Sequence, residues 1–378
     1  MKTHRPASVV CAKALLHGAA LLTVLAIPTA SAVMAQDPAA TQSAAATQAA
    51  TVVGRMCPFW DGKESQAQYA KRAGMKDAEL TLDLGKGVKM KLILIPAGKF
   101  MMGKPADCKI GTPGPCNPQP QHEVTITRPF YMGVTEVTQG QYQQITGTSG
   151  GFKRAVNMTP ETARKIATGE KVEYTPDPNL PMDFVNWQQI AEALKAASGK
   201  LGLTVKLPTE AEWEYAYRAG TTTDFYWGED ASHKVVGQYA WFLGNEKEYG
   251  GGVKPVGLKK PNAWGLYDMA GNAIESCADT YVQYPSEPQT DPLQEGRSYG
   301  RIIRGGYFGN HPAWCTAWHR KAAPETYQLD VLGKWKGRFS AGGFRVVVPV
   351  EDVMKNPPAA DRKTATKPTP HEKKEKGQ

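Results

Sequence analysis

Leu207-Pro208-Thr209-Glu210-Ala211-Glu212-Trp213-Glu214-Tyr215-Ala216 decides how the middle of this chain folds. Thr209 stands three residues before Glu212. At that spacing a threonine hydroxyl takes an orphan backbone N–H and the glutamate reaches back to the cap. A helix is therefore predicted to open at Thr209. Trp213, Ala216 and Tyr217 share one of its faces, and Gly220 supplies a closing residue with access to the left-handed region. Two further starts follow the same rule. Thr138 and Gln141 open a segment with Tyr142 and Ile145 on one face, closed by Gly147. Asn186 and Gln189 open another, with Ile190, Ala191 and Leu194 following and Gly199 near its end.

Outward from these helices the pattern changes period. Lys89 to Ile95 alternates and ends apolar, as a half-buried strand does, and Pro96-Ala97-Gly98 turns it. Phe100-Met101-Met102-Gly103 continues as a second strand. His122-Glu123-Val124-Thr125-Ile126 alternates again, and Pro129-Phe130-Tyr131-Met132 follows. Beyond Gly220 the chain runs in short apolar pieces between Gly, Pro and Asn. With 38 Gly and 28 Pro in 378 residues, turns outnumber long regular elements. Hydrophobic residues make up 41%, enough for a core, and no fixed-period repeat is visible. The expected class is a mixed α+β domain over residues 80–350, with short strands, few helices and much ordered loop.

The ends read differently. Lys2 and Arg5 precede an apolar run from Ala14 to Ile27, and Ala30-Ser31-Ala32 gives a small-residue cleavage pattern, so residues 1–32 read as a secretory signal peptide. Residues 33–79 are a linker and N-terminal extension. Residues 351–378 are a basic tail, dense in charge between Arg362 and Lys376 and interspersed with Pro and Thr. The net charge of the chain is +9, but no basic face interleaved with stacking aromatics is visible, which argues against nucleic acid as a partner. No later segment is long and apolar enough to span a bilayer. The mature protein is expected to be exported, periplasmic or secreted. Five of the six cysteines remain after cleavage, and in an oxidising compartment pairing is the default. Cys108 and Cys116 lie close enough in sequence to close a small loop.

Six segments now read together, in order: Ile95-Pro96-Ala97-Gly98-Lys99-Phe100-Met101-Met102-Gly103; Thr135-Glu136-Val137-Thr138; the 207–216 stretch; Pro261-Asn262-Ala263-Trp264-Gly265-Leu266-Tyr267-Asp268-Met269-Ala270-Gly271-Asn272; Arg304-Gly305-Gly306; and Gly343-Phe344-Arg345. The set resembles the formylglycine-generating enzyme (sulfatase-modifying factor) family. That resemblance implies a C-type-lectin-like fold. It also implies a copper question. The family's oxidases hold Cu(I) with two cysteines five residues apart and use O2 to convert a cysteine of a sulfatase to formylglycine. The second position here is Cys315, but the first is Asn310. A neutral amide is a hard ligand and does not replace a thiolate for a soft ion, which argues against copper. Cys277 and Cys315 match positions that carry cysteines in non-oxidase relatives, so the resemblance implies a Cys277–Cys315 disulfide and leaves Cys57 over. It also implies a calcium ion at Asp268, Gly271, Ala273 and Glu275, since Ca2+ is held by several oxygens. A second family calcium site is not carried over, because Trp241 stands where its asparagine would be.

Other chemistry is poorly supported. His311, Cys315 and His319 are spaced by four, but Pro312 argues against a regular helix that would gather them. Asp83, Glu123, Glu136, Asp183 and Asp279 are scattered acids, expected mostly as surface charges or caps. The leading reading is a non-oxidase binding or accessory module of the cell envelope, stabilised by calcium and taking a protein, peptide or glycan. Its candidate recognition surfaces are the stretches 148–180 and 282–300, and a groove around Tyr307, Asn310, Trp314, Trp318 and Arg320. The alternative is a formylglycine-generating or related maturation enzyme with an altered site, in which Cys315 acts as the catalytic thiol.

Overall fold

A computed structural model describes residues 57–108, 110, 118–148, 168, 177–183, 185–245, 252–296, 300–323 and 342–357. The signal peptide, the linker, Cys116, most of the 148–180 stretch and the end of the basic tail lie outside the described residues. Among the described residues no helix is long and apolar enough to cross a membrane.

The chain enters through a short helix, α1 (Gln66–Arg72), opened by a Ser65–Gln68 capping box. Three antiparallel neighbours then form: β1 (Glu79–Gly85), β2 (Val88–Ile95) and β5 (Phe130–Gly133). β1 alternates exposed and buried residues as a strand with one wet face must. A final strand, β10 (Val347–Pro349), pairs with β5, so the sheet order is β1-β2-β5-β10. A second sheet joins β3 (Gly98–Met102), β4 (His122–Ile126) and β7 (Gln289–Thr290). A third joins β6 (Glu275–Thr280), β8 (Arg301–Arg304) and β9 (Lys321–Ala323). The 282–300 stretch is therefore not wholly free loop: β7 lies parallel to β4, with Val124 opposite Gln289.

The three predicted helices form. α2 (Gln139–Thr146) carries the Thr138–Gln141 capping box and ends on Gly147 at φ 73°. α3 (Trp187–Leu201) carries the Asn186–Gln189 box; it runs through Gly199 and stops at Gly202, which takes the left-handed conformation. α4 (Glu210–Arg218) carries the Thr209–Glu212 box. Its left-handed cap is Ala219, with Gly220 following at φ 93°. A last short helix, α5 (Val350–Lys355), follows β10.

Two apolar clusters hold these elements. One packs Tyr69, Leu92, Ile190 and Val348 between α1, α3 and the first sheet. The other gathers Trp213, Tyr217, Phe225, Leu266, Cys315 and Trp318 around α4. α4 is thus buried on nearly every side, and its acidic and basic residues need internal partners.

Candidate recognition face and acidic pocket

The buried charges of α4 organise everything around them. Glu214 Oε1 accepts from Arg218 Nη2 at 2.8 Å and from the Gly103 N–H at 2.9 Å, while Oε2 pairs with Arg304. Burial pushes the Glu214 pKa up, but Arg218 and Arg304 outweigh it and hold the carboxyl below its ordinary value. Glu210 is clasped by Arg320 through Nε at 2.8 Å and Nη2 at 2.7 Å, and accepts a third hydrogen bond from the Tyr284 hydroxyl. Glu275 accepts from Arg345 Nε and Nη2, both at 2.6 Å, and from Trp213 Nε1 at 2.8 Å. Asn262 works at the helix end. Its amide donates to the carbonyls of Ala216 and Tyr217, and its oxygen accepts from Trp264 and Leu266.

These contacts correct the expected groove. Arg320 and Trp318 are each 0% exposed. Arg320 is committed to Glu210, and Trp318 Nε1 donates to Asp224 at 2.6 Å. Neither faces solvent, because each closes a gap between α4 and the strands around it. Tyr307 and Trp314 do reach the surface as half-buried residues. Lys321 places its ammonium 4.6 Å from the Trp314 ring centroid. Leu243, which the sequence reading passed over, joins this face: it is 55% exposed, and its N–H donates to the Asn310 carbonyl at 2.8 Å.

Asn310 has a structural task. Its N–H donates to the Tyr307 carbonyl at 2.8 Å, and its Oδ1 accepts from the Tyr307 N–H at 3.2 Å. The amide closes the turn from residue 307 to 310. Cys315 lies beyond it on a 3-10 turn (Pro312–Cys315), fully buried. A Cβ at Gly306 would lie 3.2 Å from its sulfur, so the glycine packs the thiol in. Burial pushes the Cys315 pKa up to about 12. Such a thiol stays protonated at neutral pH, and the thiolate is the form that binds metal or attacks.

The expected Cys277–Cys315 disulfide is absent: both residues are free, buried thiols in the same apolar cluster. Cys108 is also a free thiol. It donates to Asp224 Oδ2 at 3.2 Å, and burial followed by that hydrogen bond raises its pKa to about 12. Its expected partner, Cys116, is not among the described residues. His311, Cys315 and His319 do not form a ligand set. His311 caps the 3-10 turn through Nδ1, while His319 is buried against Trp314 with its pKa lowered to about 3 by burial, Arg304 and Lys321.

Of the scattered acids, Asp83 is exposed and Glu123 is partly so, but Glu136, Asp183 and Asp279 are buried. Glu136 matters most, because it faces the expected calcium segment. Its Oε1 accepts from the Ala273 N–H at 3.4 Å. Asp268 sits at φ 54° and accepts from the Gly257 N–H at 2.6 Å through Oδ2. Gly271 follows at φ 78°, where a Cβ would lie 2.0 Å from the Trp241 carbonyl oxygen. The turn is built for glycine alone.

Two carboxylate oxygens in this pocket, Asp268 Oδ1 and Glu136 Oε2, are buried without a hydrogen-bond partner. Burial raises both pKa values, Asp268 to about 6 and Glu136 well above its ordinary value, with Glu275 adding to both and Arg345 opposing. Orphaned carboxylate oxygens fit a hard cation. Glu275 fits less well, since Arg345 and Trp213 already take its oxygens. Among the described residues no group of three or more His, Cys, Asp or Glu side chains converges for a metal. A calcium ion here would therefore lean on Asp268, Glu136 and the backbone of Gly271 and Ala273. The second family site was not expected, and Lys254 and Lys259 stand there, their ammonium groups 5.9 and 3.7 Å from the Trp241 ring centroid.

The sulfatase-modifying factor enzyme 1-like domain matches residues 85–347. This chain belongs to that family. It is 28% identical over 284 residues to a formylglycine-generating enzyme of Streptomyces coelicolor, covering 63% of this chain and 84% of that one. It is 29% identical over 270 residues to an inactive Cα-formylglycine-generating enzyme 2 of Bos taurus, covering 62% and 84%. Among solved structures, Treponema denticola variable protein 1 superposes with a TM-score of 0.55 at 23% identity, covering 72% of this chain and all of that one, a likeness of fold. The similar proteins thus include both one named a formylglycine-generating enzyme and one named inactive.

Proposed function

We propose that this protein is an exported, non-oxidase member of the family, a recognition or accessory module of the cell envelope steadied by calcium. The observation that carries the reading is the pair Asn310 and Cys315. The first is a turn-closing amide where the oxidases place a copper-binding cysteine, and the second is sealed beneath Gly306 as a protonated thiol. Soft Cu(I) finds no pair of thiolates in that arrangement. What the turn does present is a half-buried face of Tyr307, Trp314 and Leu243, flanked by the Lys321 ammonium. Aromatic anchors of this kind suit a polypeptide partner. Calcium would be held by Asp268 and Glu136, and would give a partner to the two carboxylate oxygens that are otherwise buried without a hydrogen bond. It would fix the 268–273 turn, whose Gly271 donates to the Gly305 carbonyl at the start of the recognition turn.

Oxygen uptake tests the reading. The mature protein is incubated with Cu(I), reductant and a cysteine-containing sulfatase peptide, beside an active formylglycine-generating enzyme. No oxygen consumption above that of the protein-free control and no aldehyde in the peptide are expected. An aldehyde formed at a rate above the protein-free control would sink the non-oxidase reading and restore the enzyme alternative.

A further inference from the structure

A cavity of about 330 Å3 opens between Trp60 to Gly62, the start of β3 and the last turn of α4. It is separate from the recognition turn. Tyr215 lines it, whereas Trp213 and Tyr217 on the same helix reach Glu275 and the Cys315 carbonyl. Its volume lies at the small end of ligand pockets.

The walls combine ring faces with uncharged or paired polar groups. Trp60, Phe100 and Tyr215 supply the rings. They are braced: Phe100 and Tyr215 centroids lie 5.2 Å apart, and Trp264 touches Trp60 at 5.2 Å and Tyr215 at 5.1 Å. Two glycines allow this closeness. A Cβ at Gly98 would lie 2.2 Å from the Tyr215 hydroxyl oxygen, and one at Gly220 would lie 2.7 Å from the Trp60 ring. Both cations at the wall are engaged, Arg218 by Glu214 and Lys99 by Glu123 at 2.9 Å. An anionic ligand thus meets no unpaired positive charge. The acid at the rim, Asp61, uses Oδ1 to take the Lys63 and Glu64 N–H groups, each at 2.8 Å. Its other oxygen is left as an acceptor. Thr222 adds an exposed hydroxyl and Gln121 an amide. The Tyr215 hydroxyl, on a residue 2% exposed, has no partner.

Flat apolar faces beside neutral donors and one carboxylate acceptor are complementary to a sugar, whose C–H faces stack on rings while its hydroxyls bond at the edge. We propose that this cavity is a second binding site, taking one neutral pyranose of a glycan. The ring lies against Trp60 and Phe100, and its hydroxyls are shared among Asp61, Gln121 and Thr222. A single sugar in so small a site binds weakly, with Kd about 1 mM.

The test uses the full mature protein and the methyl pyranosides of glucose, galactose, mannose and N-acetylglucosamine. Saturation-transfer NMR reads contact, and titration gives Kd. At least one pyranoside should bind. Asp61→Asn keeps the turn-capping oxygen, so it should fold normally yet weaken binding roughly tenfold, the loss of one charge-assisted hydrogen bond. Phe100→Leu should weaken it similarly. Trp314→Ala, on the other face, should leave it unchanged. Because that face is untouched, failure here leaves the non-oxidase reading standing. The proposal is overturned if no pyranoside receives saturation from the folded protein at about 10 mM, ten times that Kd. It is equally overturned if binding survives both cavity substitutions or is lost with Trp314→Ala.

Discussion

Calcium should raise the thermal midpoint of this protein, and the size of the effect can be worked out. An ion that binds only the folded state stabilises it by about 2.7 kcal/mol at one hundred times its dissociation constant. The matched domain spans 85–347. At about 2.1 cal/mol/K per residue its unfolding entropy is roughly 0.55 kcal/mol/K, so the midpoint should move by about 5 °C. The pocket adds a pH signature. Asp268 has its pKa raised by burial to about 6, and Glu136 lies well above its ordinary value. In the folded state without calcium these groups bind protons that the unfolded chain has released. The Asp268 contribution is then present at low pH and is lost as pH rises through about 6, and that of Glu136 is lost as pH rises through its own raised pKa. Calcium displaces the protons, so its benefit should be large at pH 8 and fade below about pH 6. The assay is a thermal melt with calcium or a chelator at pH 5 and pH 8. Asp268→Asn and Glu136→Gln each remove one of the two orphaned oxygens' charges and should abolish most of the shift. A wild-type melt indifferent to calcium at pH 8 refutes the reasoning, and so does a shift retained in both variants.

Three other outcomes follow from the same geometry. Glu214→Gln leaves Arg218 and Arg304 buried beside a neutral amide; it should cost about 3–5 kcal/mol in denaturant unfolding, far more than a surface pair would. Since the Glu214 carboxyl is held below its ordinary 4.5, its contribution is complete above that value and drains away as pH falls through the lower folded pKa, a loss the variant should not share. Alkylation of the native protein should spare Cys277 and Cys315 until denaturant is added, whereas half-buried Cys57 should label first; a linked Cys277–Cys315 peptide in a non-reduced digest would overturn the free-thiol arrangement. Asn310→Cys should restore no copper-dependent oxygen uptake while Cys315 stays packed under Gly306, and uptake in that variant would show the thiol to be more accessible than its burial implies.

Local signals in the sequence were reliable where a few adjacent residues settle the structure. The three capping boxes at Thr138, Asn186 and Thr209 form at the expected residues, because cap and partner lie within one turn. The alternating strand His122–Ile126 is equally self-contained. Gly199 lies near the end of α3 as expected but still inside it, at a cost of about 1 kcal/mol, and the closing left-handed residue is Gly202. Long-range partners were not legible. Nothing near Arg320 announces that Glu210, 110 residues earlier, will clasp it, so a residue expected at a groove proves to be core. Glu136 was expected as a surface charge or cap for the same reason. It lies two residues before the helix cap Thr138, and only the folded chain sets it against Asp268 and Ala273.

The six segments that carry the resemblance also explain why it speaks for fold more than chemistry. Each supplies part of the buried frame. Gly103 and Arg304 complete the shell of Glu214; Asn262 caps the end of α4; Arg345 answers Glu275; Thr138 opens α2. Removing one partner from such a frame leaves an uncompensated buried charge, at a cost of several kcal/mol. The frame is thus self-enforcing, and a chain that keeps part of it must keep nearly all. The 307–310 turn is under no such constraint. Asn310 closes it with a side-chain oxygen that accepts from the Tyr307 N–H, a hydrogen bond that another side chain could replace or forgo at about 1 kcal/mol. Chemistry at that turn can therefore be lost or exchanged without disturbing the scaffold, and the residues that would distinguish an oxidase from a binding module are the ones the scaffold leaves free to vary.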